Sequence, residues 1–194
     1  HEPGKGKYLQ GHLYRNKLIA LPYGEHDPYD YLLKLDLDTH EIELQKITLP
    51  HNDCKKWHTT QILDGIIYGL PRGEGWEGYF PYRIQYDCNT SEYEIIDMSP
   101  LWLDYDQEPL TNKKFTTLAK VNDKLFAPPY SENPNFDVLC KFIDGAWISE
   151  RTGLKATSRK YFTHTVTRNG KVFCPPAGHD ADWISSLLID GNQL

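Results

Sequence analysis

The chain repeats itself four times, and this periodicity limits its fold more than any other feature. Four segments align on a proline that closes an apolar run: LIALPYG at 18–24, IIYGLPRG at 66–73, LFAPPYS at 125–131 and VFCPPAG at 172–178. Self-similarity with a period of 20 to about 50 residues is the signature of a repeat architecture. The chain is therefore predicted to contain four copies of one structural unit. The aligned residues, called the register prolines, are Pro22, Pro71, Pro129 and Pro176.

Two further landmarks recur in register with these prolines. An aromatic residue stands fourteen positions before each one, and a two-residue turn signal lies between the aromatic and the proline. Asn-Gly and Asp-Gly between apolar runs favour tight β-hairpins. Each copy is thus predicted to begin with a strand, a tight turn and a second strand. The register aromatics are Tyr8, Trp57, Phe115 and Phe162, and the turns are Arg15-Asn16, Asp64-Gly65, Asn122-Asp123 and Asn169-Gly170.

Each copy continues with a variable loop, a third strand, another turn and a fourth strand. In the second copy the four strands are WHTTQIL, IIYGLP, YRIQYD and YEIIDM. Four-stranded units of this length are typical of propeller blades. We therefore predict an all-β fold, a small β-propeller of four blades forming a single domain over residues 1–194. The repeats cover approximately 8–53, 57–112, 115–159 and 162–194.

The fourth copy stops just after its third strand. Three interpretations follow: a three-stranded last blade, which we favour, a fragment of a longer propeller, or two chains that complete a larger ring. The last blade is expected to be incomplete or closed by another segment. Because an open sheet edge can pair with another chain, it is also a place where the protein could form a homo-oligomer.

The repeats resemble those of the kelch-like β-propeller superfamily. The resemblance rests on the small-apolar-proline step that closes each second strand and on Asp-x-x-Thr turns after the third strand. Two such turns are present, Asp36-Leu37-Asp38-Thr39 and Asp87-Cys88-Asn89-Thr90. The resemblance implies a β-propeller, a scaffold that supports many functions.

Composition excludes several classes of protein. The 39% of hydrophobic residues excludes a disordered acidic tail, and a net charge of −6 argues against binding to duplex nucleic acid. No apolar run is long enough for a membrane span of about 18 residues, so no membrane partner is expected. The four cysteines are far apart and unpaired in spacing, which favours a reducing, cytoplasmic location. No spacing matches a metal signature, and neither metal nor cofactor is predicted.

Lysines recur at the start of each copy, directly before the register aromatic or one residue further back. In a propeller the first strands line the axis, so these lysines are predicted to form a ring near the mouth of the central channel. Such a ring would suit a small anionic ligand, a nucleotide or an acidic sugar. A lysine before a strand is also typical of a solvated loop end. The four residues are Lys7, Lys56, Lys114 and Lys160.

Hydroxyl, imidazole and aromatic groups near these lysines complete the predicted site. The donors follow the lysines, whereas the aromatics lie in the acidic loops between second and third strands, where they could stack on a base or sugar ring. Threonines there also suit a strand for structural reasons alone. The predicted ligand-binding residues besides the lysines are His58, Thr59, Thr116, Thr163, His164, Arg72, Trp76, Tyr130 and Trp183.

Three functions are compatible with these features. We favour a non-catalytic module that binds, and by sequestration controls, a small anionic ligand. The alternative is a hydrolase or lyase acting on glycans or phosphoesters, with histidine and aspartate as acid and base. A protein–protein interaction platform is the third. If the protein is an enzyme, the expected catalytic residues are His164, His179, Asp180 and Asp182.

Overall fold

The computed structural model shows an all-β chain. Over the described residues it contains nineteen strands and one 3-10 helix, Ser99–Leu101. The chain divides into two compact units, His1–Asp97 and Met98–Leu194. Residues described are 6–26, 28–50, 53–74, 79–101, 114–131, 137–153, 160–161, 164–176 and 186–191.

The first unit contains two blades, each an antiparallel sheet of four strands. Blade 1 has the strand order β1-β2-β3-β4, and blade 2 has the order β10-β9-β6-β5. A two-stranded hairpin, β7 with β8, lies in the loop between the second and third strands of blade 2. The strands are β1 His12–Tyr14, β2 Lys17–Ala20, β3 Tyr31–Asp36, β4 Ile42–Lys46, β5 Trp57–Leu63, β6 Ile66–Pro71, β7 Gly73–Glu74, β8 Tyr79–Phe80, β9 Tyr82–Asp87 and β10 Tyr93–Asp97.

The second unit contains a four-stranded blade and a three-stranded one. Blade 3 has the order β11-β12-β14-β15, blade 4 has the order β17-β18-β19, and β13 pairs with β16. The fold is thus that of a propeller with four blades, the last of which is incomplete over the described residues, as the repeats predict. The strands are β11 Ala119–Val121, β12 Lys124–Ala127, β13 Tyr130–Ser131, β14 Val138–Ile143, β15 Ala146–Arg151, β16 Lys160–Tyr161, β17 Val166–Arg168, β18 Lys171–Cys174 and β19 Leu187–Asp190.

The predicted hairpin turns are confirmed in all four blades, since each turn signal separates the first two strands. Asp64 and Gly65 both have positive φ, at 51° and 80°, as do Asn169 and Gly170, at 50° and 75°. Glycine takes this conformation without steric cost, which is why these dipeptides form tight turns. The strands predicted for blade 2 agree with β5, β6, β9 and β10 to within one residue.

The first strands differ from the prediction outside blade 2. Only β5 begins at its register aromatic, Trp57, and its pairing with β6 is irregular between Trp57 and Thr59. In the other three blades the first strand begins four residues after the register aromatic. In those blades the aromatic precedes the strand. The repeated aromatic therefore predicts that a blade is present, but it does not predict where the first strand begins.

Each unit has its own hydrophobic core between its two blades. In the first unit the inner face of blade 1 packs against blade 2, and in the second unit blade 3 packs against blade 4. The first core contains Ile19, Leu21, Leu32, Ile47, Trp57, Ile67, Phe80, Ile84 and Tyr86. The second contains Ala119, Val121, Phe126, Leu139, Val172, Cys174 and Ile189.

Candidate ligand-binding site

The lysines that precede the register aromatics make the same backbone hydrogen bond in three of the blades. In each, the lysine carbonyl accepts a bond from the amide of the residue that follows the register proline. The bonds run from Tyr23 N to Lys7 O at 2.7 Å, from Arg72 N to Lys56 O at 3.1 Å and from Tyr130 N to Lys114 O at 2.8 Å. The segment that leads into each first strand is thereby fixed to the segment that follows the second strand of the same blade.

The fourth blade places a tyrosine at the equivalent position. In the first unit, the Lys56 amide donates to Tyr23 O of the preceding blade at 3.2 Å. In the second unit, Tyr130 is the residue equivalent to Tyr23, and strand pairing places Tyr161 opposite it, with Lys160 opposite Ser131. Lys160 lies one residue before that position, on β16. The register positions therefore hold three lysines and Tyr161.

Lys56 is completely buried in the structure. Its Nζ donates to the backbone oxygen of Asp53 at 2.6 Å. Burial lowers the pKa of Lys56 to about 8, although the negative charges of Asp30 and Asp53 nearby partly oppose that shift. An ammonium group loses hydration when it is buried, so its neutral form is favoured. Lys56 is thus a poorly solvated cation near neutral pH.

Tyr23 gathers two further predicted binding residues. Its hydroxyl accepts a hydrogen bond from the Arg72 guanidinium at 3.2 Å. Its ring packs edge-on against His58, with 5.8 Å between ring centroids. Together with the Lys56 amide bond, these contacts bring Lys56, His58 and Arg72 around one buried tyrosine. We call Tyr23, Lys56, His58 and Arg72 the Tyr23 cluster.

Sequence reasoning did not identify Tyr23 or Asp53 as part of this arrangement. Tyr23 directly follows the register proline Pro22, the position that Arg72 and Tyr130 occupy in their blades. That equivalence was visible in the repeat alignment and would have linked Tyr23 to Arg72. Asp53 offered no comparable signal, because its contact with Lys56 uses a backbone oxygen.

Lys7 lies apart from the Tyr23 cluster in its side-chain contacts. Its Nζ is 4.4 Å from the centroid of the Tyr29 ring, a cation–π distance. The hydroxyl of Tyr29 is 3.0 Å from that of Tyr8. Burial and this hydrogen bond raise the pKa of Tyr8. The Lys7 ammonium therefore lies over the ring of Tyr29, which is itself paired with Tyr8.

The predicted threonine donors are mostly enclosed. Thr59 and Thr116 are both buried. Next to Thr59, the hydroxyl of Thr60 lies 2.7 Å from His12 Nε2 and donates to Gln10 Oε1 at 3.0 Å. Burial lowers the pKa of His12, so its neutral ring is favoured. These hydroxyls hold the first unit's strands together.

The second unit repeats the burial of the register lysine. Lys114 is completely buried, and Tyr130 is half-buried. The hydroxyls of Thr117 and Thr165 are 3.3 Å apart and join blade 3 to blade 4. His164 is exposed. The other predicted residues of this unit, Thr163, His179, Asp180, Asp182 and Trp183, lie outside the described residues, as do Trp76 of the first unit and the side chain of Lys160.

The cysteines are not placed for chemistry. Cys54, Cys140 and Cys174 are buried free thiols, and Cys88 is half-buried. Burial raises the pKa of Cys88 to about 11 and that of Cys174 to about 12, which disfavours the reactive thiolate. Within the part of the chain that the structure describes, no three His, Cys, Asp or Glu side chains form a group able to hold a metal ion. Nor does that part include a helix with the length and apolar character needed to cross a membrane.

Comparisons with known proteins identify the scaffold. No family model and no curated protein matches the sequence. YjhT, which has a β-propeller-like fold, superposes with a TM-score of 0.56 at 12% identity, over 89% of this chain and 58% of YjhT. Hsv2 of Kluyveromyces lactis superposes with a TM-score of 0.50 at 10% identity, over 93% of this chain and 54% of Hsv2.

A third solved structure is the extracellular domain of the one-component system BT4673 from B. thetaiotaomicron. It gives a TM-score of 0.50 at 11% identity, over 87% of this chain and 19% of that one. This chain thus spans less than two thirds of the length of each of the three structures. At such identities the likeness concerns the fold alone. The order of strands in the blades and these likenesses together show that the chain is a β-propeller scaffold.

Proposed function

We propose that this chain is a binding module for a small anionic ligand, a nucleotide or an acidic sugar, and that it acts by sequestration. The observation that carries this proposal is the Tyr23 cluster, in which the backbone amide of the buried Lys56, the Arg72 guanidinium and the His58 imidazole all contact one tyrosine. Cationic donors held in fixed positions suit phosphate and carboxylate groups. In a propeller, the starts of the first strands lie near the mouth of the central channel, which would place the ligand there.

The members of the cluster would have different roles. Arg72 is half-buried and presents a planar group that can bind two oxygens at once. His58, also half-buried, would donate a directional hydrogen bond. Lys56 would act through its charge from beneath the surface, because its Nζ is already bonded to the Asp53 carbonyl. A bound anion nearby would favour the charged form and so raise the pKa that burial lowers.

Calorimetric titration at pH 7 tests the proposal, with AMP, inorganic phosphate, glucuronate and glucose as ligands. Binding of at least one anion and none of glucose is expected. Arg72→Gln should weaken anion binding by about tenfold or more, since a hydrogen bond to a charged group is worth roughly 1.5–3 kcal/mol. Arg168→Gln is the matched control, because Arg168 is exposed in the first strand of blade 4.

The preferred anion then distinguishes the two ligand classes. Tighter binding of AMP and phosphate indicates a nucleotide site, and tighter binding of glucuronate indicates a site for acidic sugars. Unchanged anion binding in Lys56→Ala would contradict the proposal, because Lys56 is the charge that the Tyr23 cluster would supply. So would a panel in which no anion binds.

The kelch-like relationship is proposed on the same footing as the ligand. It rests on the register prolines and on the two Asp-x-x-Thr turns. In each of those turns the aspartate Oδ1 accepts two backbone amides, from Asp38 and Thr39 in one and from Asn89 and Thr90 in the other. The hydrolase or lyase remains a prediction from the sequence, because His164 alone among the predicted catalytic residues lies in the described part of the chain. The cytoplasmic location also remains a prediction from the sequence.

A further inference from the structure

Blade 1 exposes an apolar sheet face. Strand pairing places Leu13, Leu18, Leu35 and Ile42 in one row across the sheet, and Ala20, Leu33 and Leu44 in the next. Residues directly opposite each other in antiparallel strands point to the same side. Leu13 is 62% exposed, Ile42 66% and Leu44 51%, whereas Leu18, Leu33 and Leu35 are half-buried and Ala20 is buried beneath them. We call this set of seven residues the outer face of blade 1.

The opposite face of the same sheet is covered. It carries Ile19 and Leu32, which are buried in the core against blade 2. It also carries the charged pair Lys34 and Glu43, with Lys34 Nζ 2.9 Å from the glutamate. The exposed face is therefore more uniformly apolar than the covered one. A contiguous apolar patch of this kind marks an interaction site.

Blade 4 also exposes one face, on which an apolar row lies beside a charged row of Arg168, Lys171 and Asp190. Val166, Phe173 and Leu188 form a row across its three strands. They are 59%, 43% and 60% exposed, respectively. The alternate residues Val172 and Ile189 are buried in the core against blade 3. We call Val166, Phe173 and Leu188 the outer face of blade 4.

We propose that the outer face of blade 1 binds the outer face of blade 4 of a second copy of this chain. Three observations select this occupant. Blade-on-blade stacking of apolar faces is already how each unit forms its core, so the contact continues an existing type of interface. Each copy carries one face of each kind, and hence supplies the partner that another copy needs. Neither outer face takes part in the core of its own unit, because the core residues Ile19 and Leu32 of blade 1, and Val172 and Ile189 of blade 4, lie on the opposite faces of these sheets.

The contact is heterologous, because two different surfaces meet. Such contacts form a closed ring when the rotation between copies allows it, and a longer assembly otherwise. In a closed pair, each copy uses its blade 1 face once and its blade 4 face once. Loss of either face therefore removes both contacts of the pair.

Light scattering coupled to size-exclusion chromatography tests the contact over a range of protein concentrations. The unmodified 194-residue chain should form particles of twice its 22.5 kDa mass or larger. The Ile42→Asp and Leu44→Asp double variant should be monomeric, and so should the Val166→Asp and Leu188→Asp double variant. All four positions are exposed, and circular dichroism checks that both variants remain folded. Ile148→Asp is the matched control, since Ile148 is 46% exposed on the fourth strand of blade 3 and should keep the assembly intact.

Mixing the two monomeric variants gives the decisive result. One retains an intact blade 4 face and the other an intact blade 1 face, so an equimolar mixture should form a dimer that neither forms alone. A chain that is monomeric at all concentrations overturns the proposal, and indicates that another segment or protein covers these faces. An assembly that survives the blade 4 substitutions also overturns it, because it would show that two blade 1 faces meet each other. A mixture that stays monomeric does so as well.

Discussion

The two units follow one plan with different side chains. In each, the first blade carries a buried lysine on its third strand, and that lysine binds a glutamate of the fourth strand: Lys34 with Glu43, and Lys141 with Glu150. Their cores differ. Trp57, Phe80 and Tyr86 occupy the first, whereas among the described residues of the second core Phe126 is the one aromatic residue, with smaller side chains around it. The lysine–glutamate pairs recur because the strands that carry them are repeated. The core side chains differ between the units, so equivalent substitutions should cost different amounts of stability.

Truncation of the register aromatics should give the largest loss of stability. Trp57 and Phe115 are both buried at equivalent positions, so Trp57→Ala and Phe115→Ala should each lower the free energy of unfolding by about 3–5 kcal/mol. The loss should be greater for Trp57, because its indole also donates to Tyr82 O at 2.9 Å. Urea denaturation followed by circular dichroism measures both values.

Trp57→Phe separates the two contributions at this position. It keeps an aromatic ring and removes the hydrogen bond, so it should cost less than Trp57→Ala. Ile148→Ala, at an exposed position of the second unit, provides the control. Equal losses for Trp57→Ala and Phe115→Ala would show that the indole hydrogen bond adds nothing.

Lys56 should make the stability of the first unit depend on alkaline pH. Its pKa is lowered by burial from 10.5 to about 8, so between these values the unfolded chain binds more protons than the folded one. Lys56 should therefore contribute a rise in stability as the pH increases from about 8 to 10.5, against the fall that the raised pKa values of Tyr8, Cys88 and Cys174 cause at alkaline pH. The shift corresponds to about 3–4 kcal/mol, as an order of magnitude. Lys56→Met should remove this rise and raise stability at pH 7.

Thermal unfolding of the unmodified chain and of Lys56→Met, measured from pH 7 to 10.5, provides the data. Lys17→Met is a suitable control, because Lys17 is exposed on β2. A rise with pH that persists in Lys56→Met would assign it to another group. A saturating anion should also reduce the rise if the proposed ligand lies near Lys56.

The repeat allowed most of the fold to be predicted, because turn chemistry and strand alternation are local properties. Blade 2 matches its predicted strands since Trp57 itself begins β5. In the other blades the first strand begins later. Its start depends on where it pairs with the second strand, and no local sequence pattern indicates that position. For the candidate site, the sequence singled out Lys56, His58 and Arg72, which the structure brings to Tyr23, and their role in binding stays a prediction. It did not reveal that Lys56 is enclosed, because a lysine before a strand has the same local sequence whether or not other segments cover it.

The smallest effect should distinguish the two lysine–glutamate pairs. Removing one partner of a buried ion pair leaves the other charge uncompensated. Both glutamates are half exposed or more, so water should limit the loss for Glu150→Gln and Glu43→Gln to about 1–2 kcal/mol. Glu150→Gln should cost more, because the Lys141 contact is shorter, 2.6 Å against 2.9 Å, whereas Lys34 also donates to Ser91 Oγ at 3.1 Å. Urea denaturation of both variants, with Glu41→Gln as the exposed control, measures this order.

A larger loss for Glu43→Gln would mean that Ser91 does not support Lys34, and the combined variant Glu43→Gln with Ser91→Ala would then cost no more than Glu43→Gln alone.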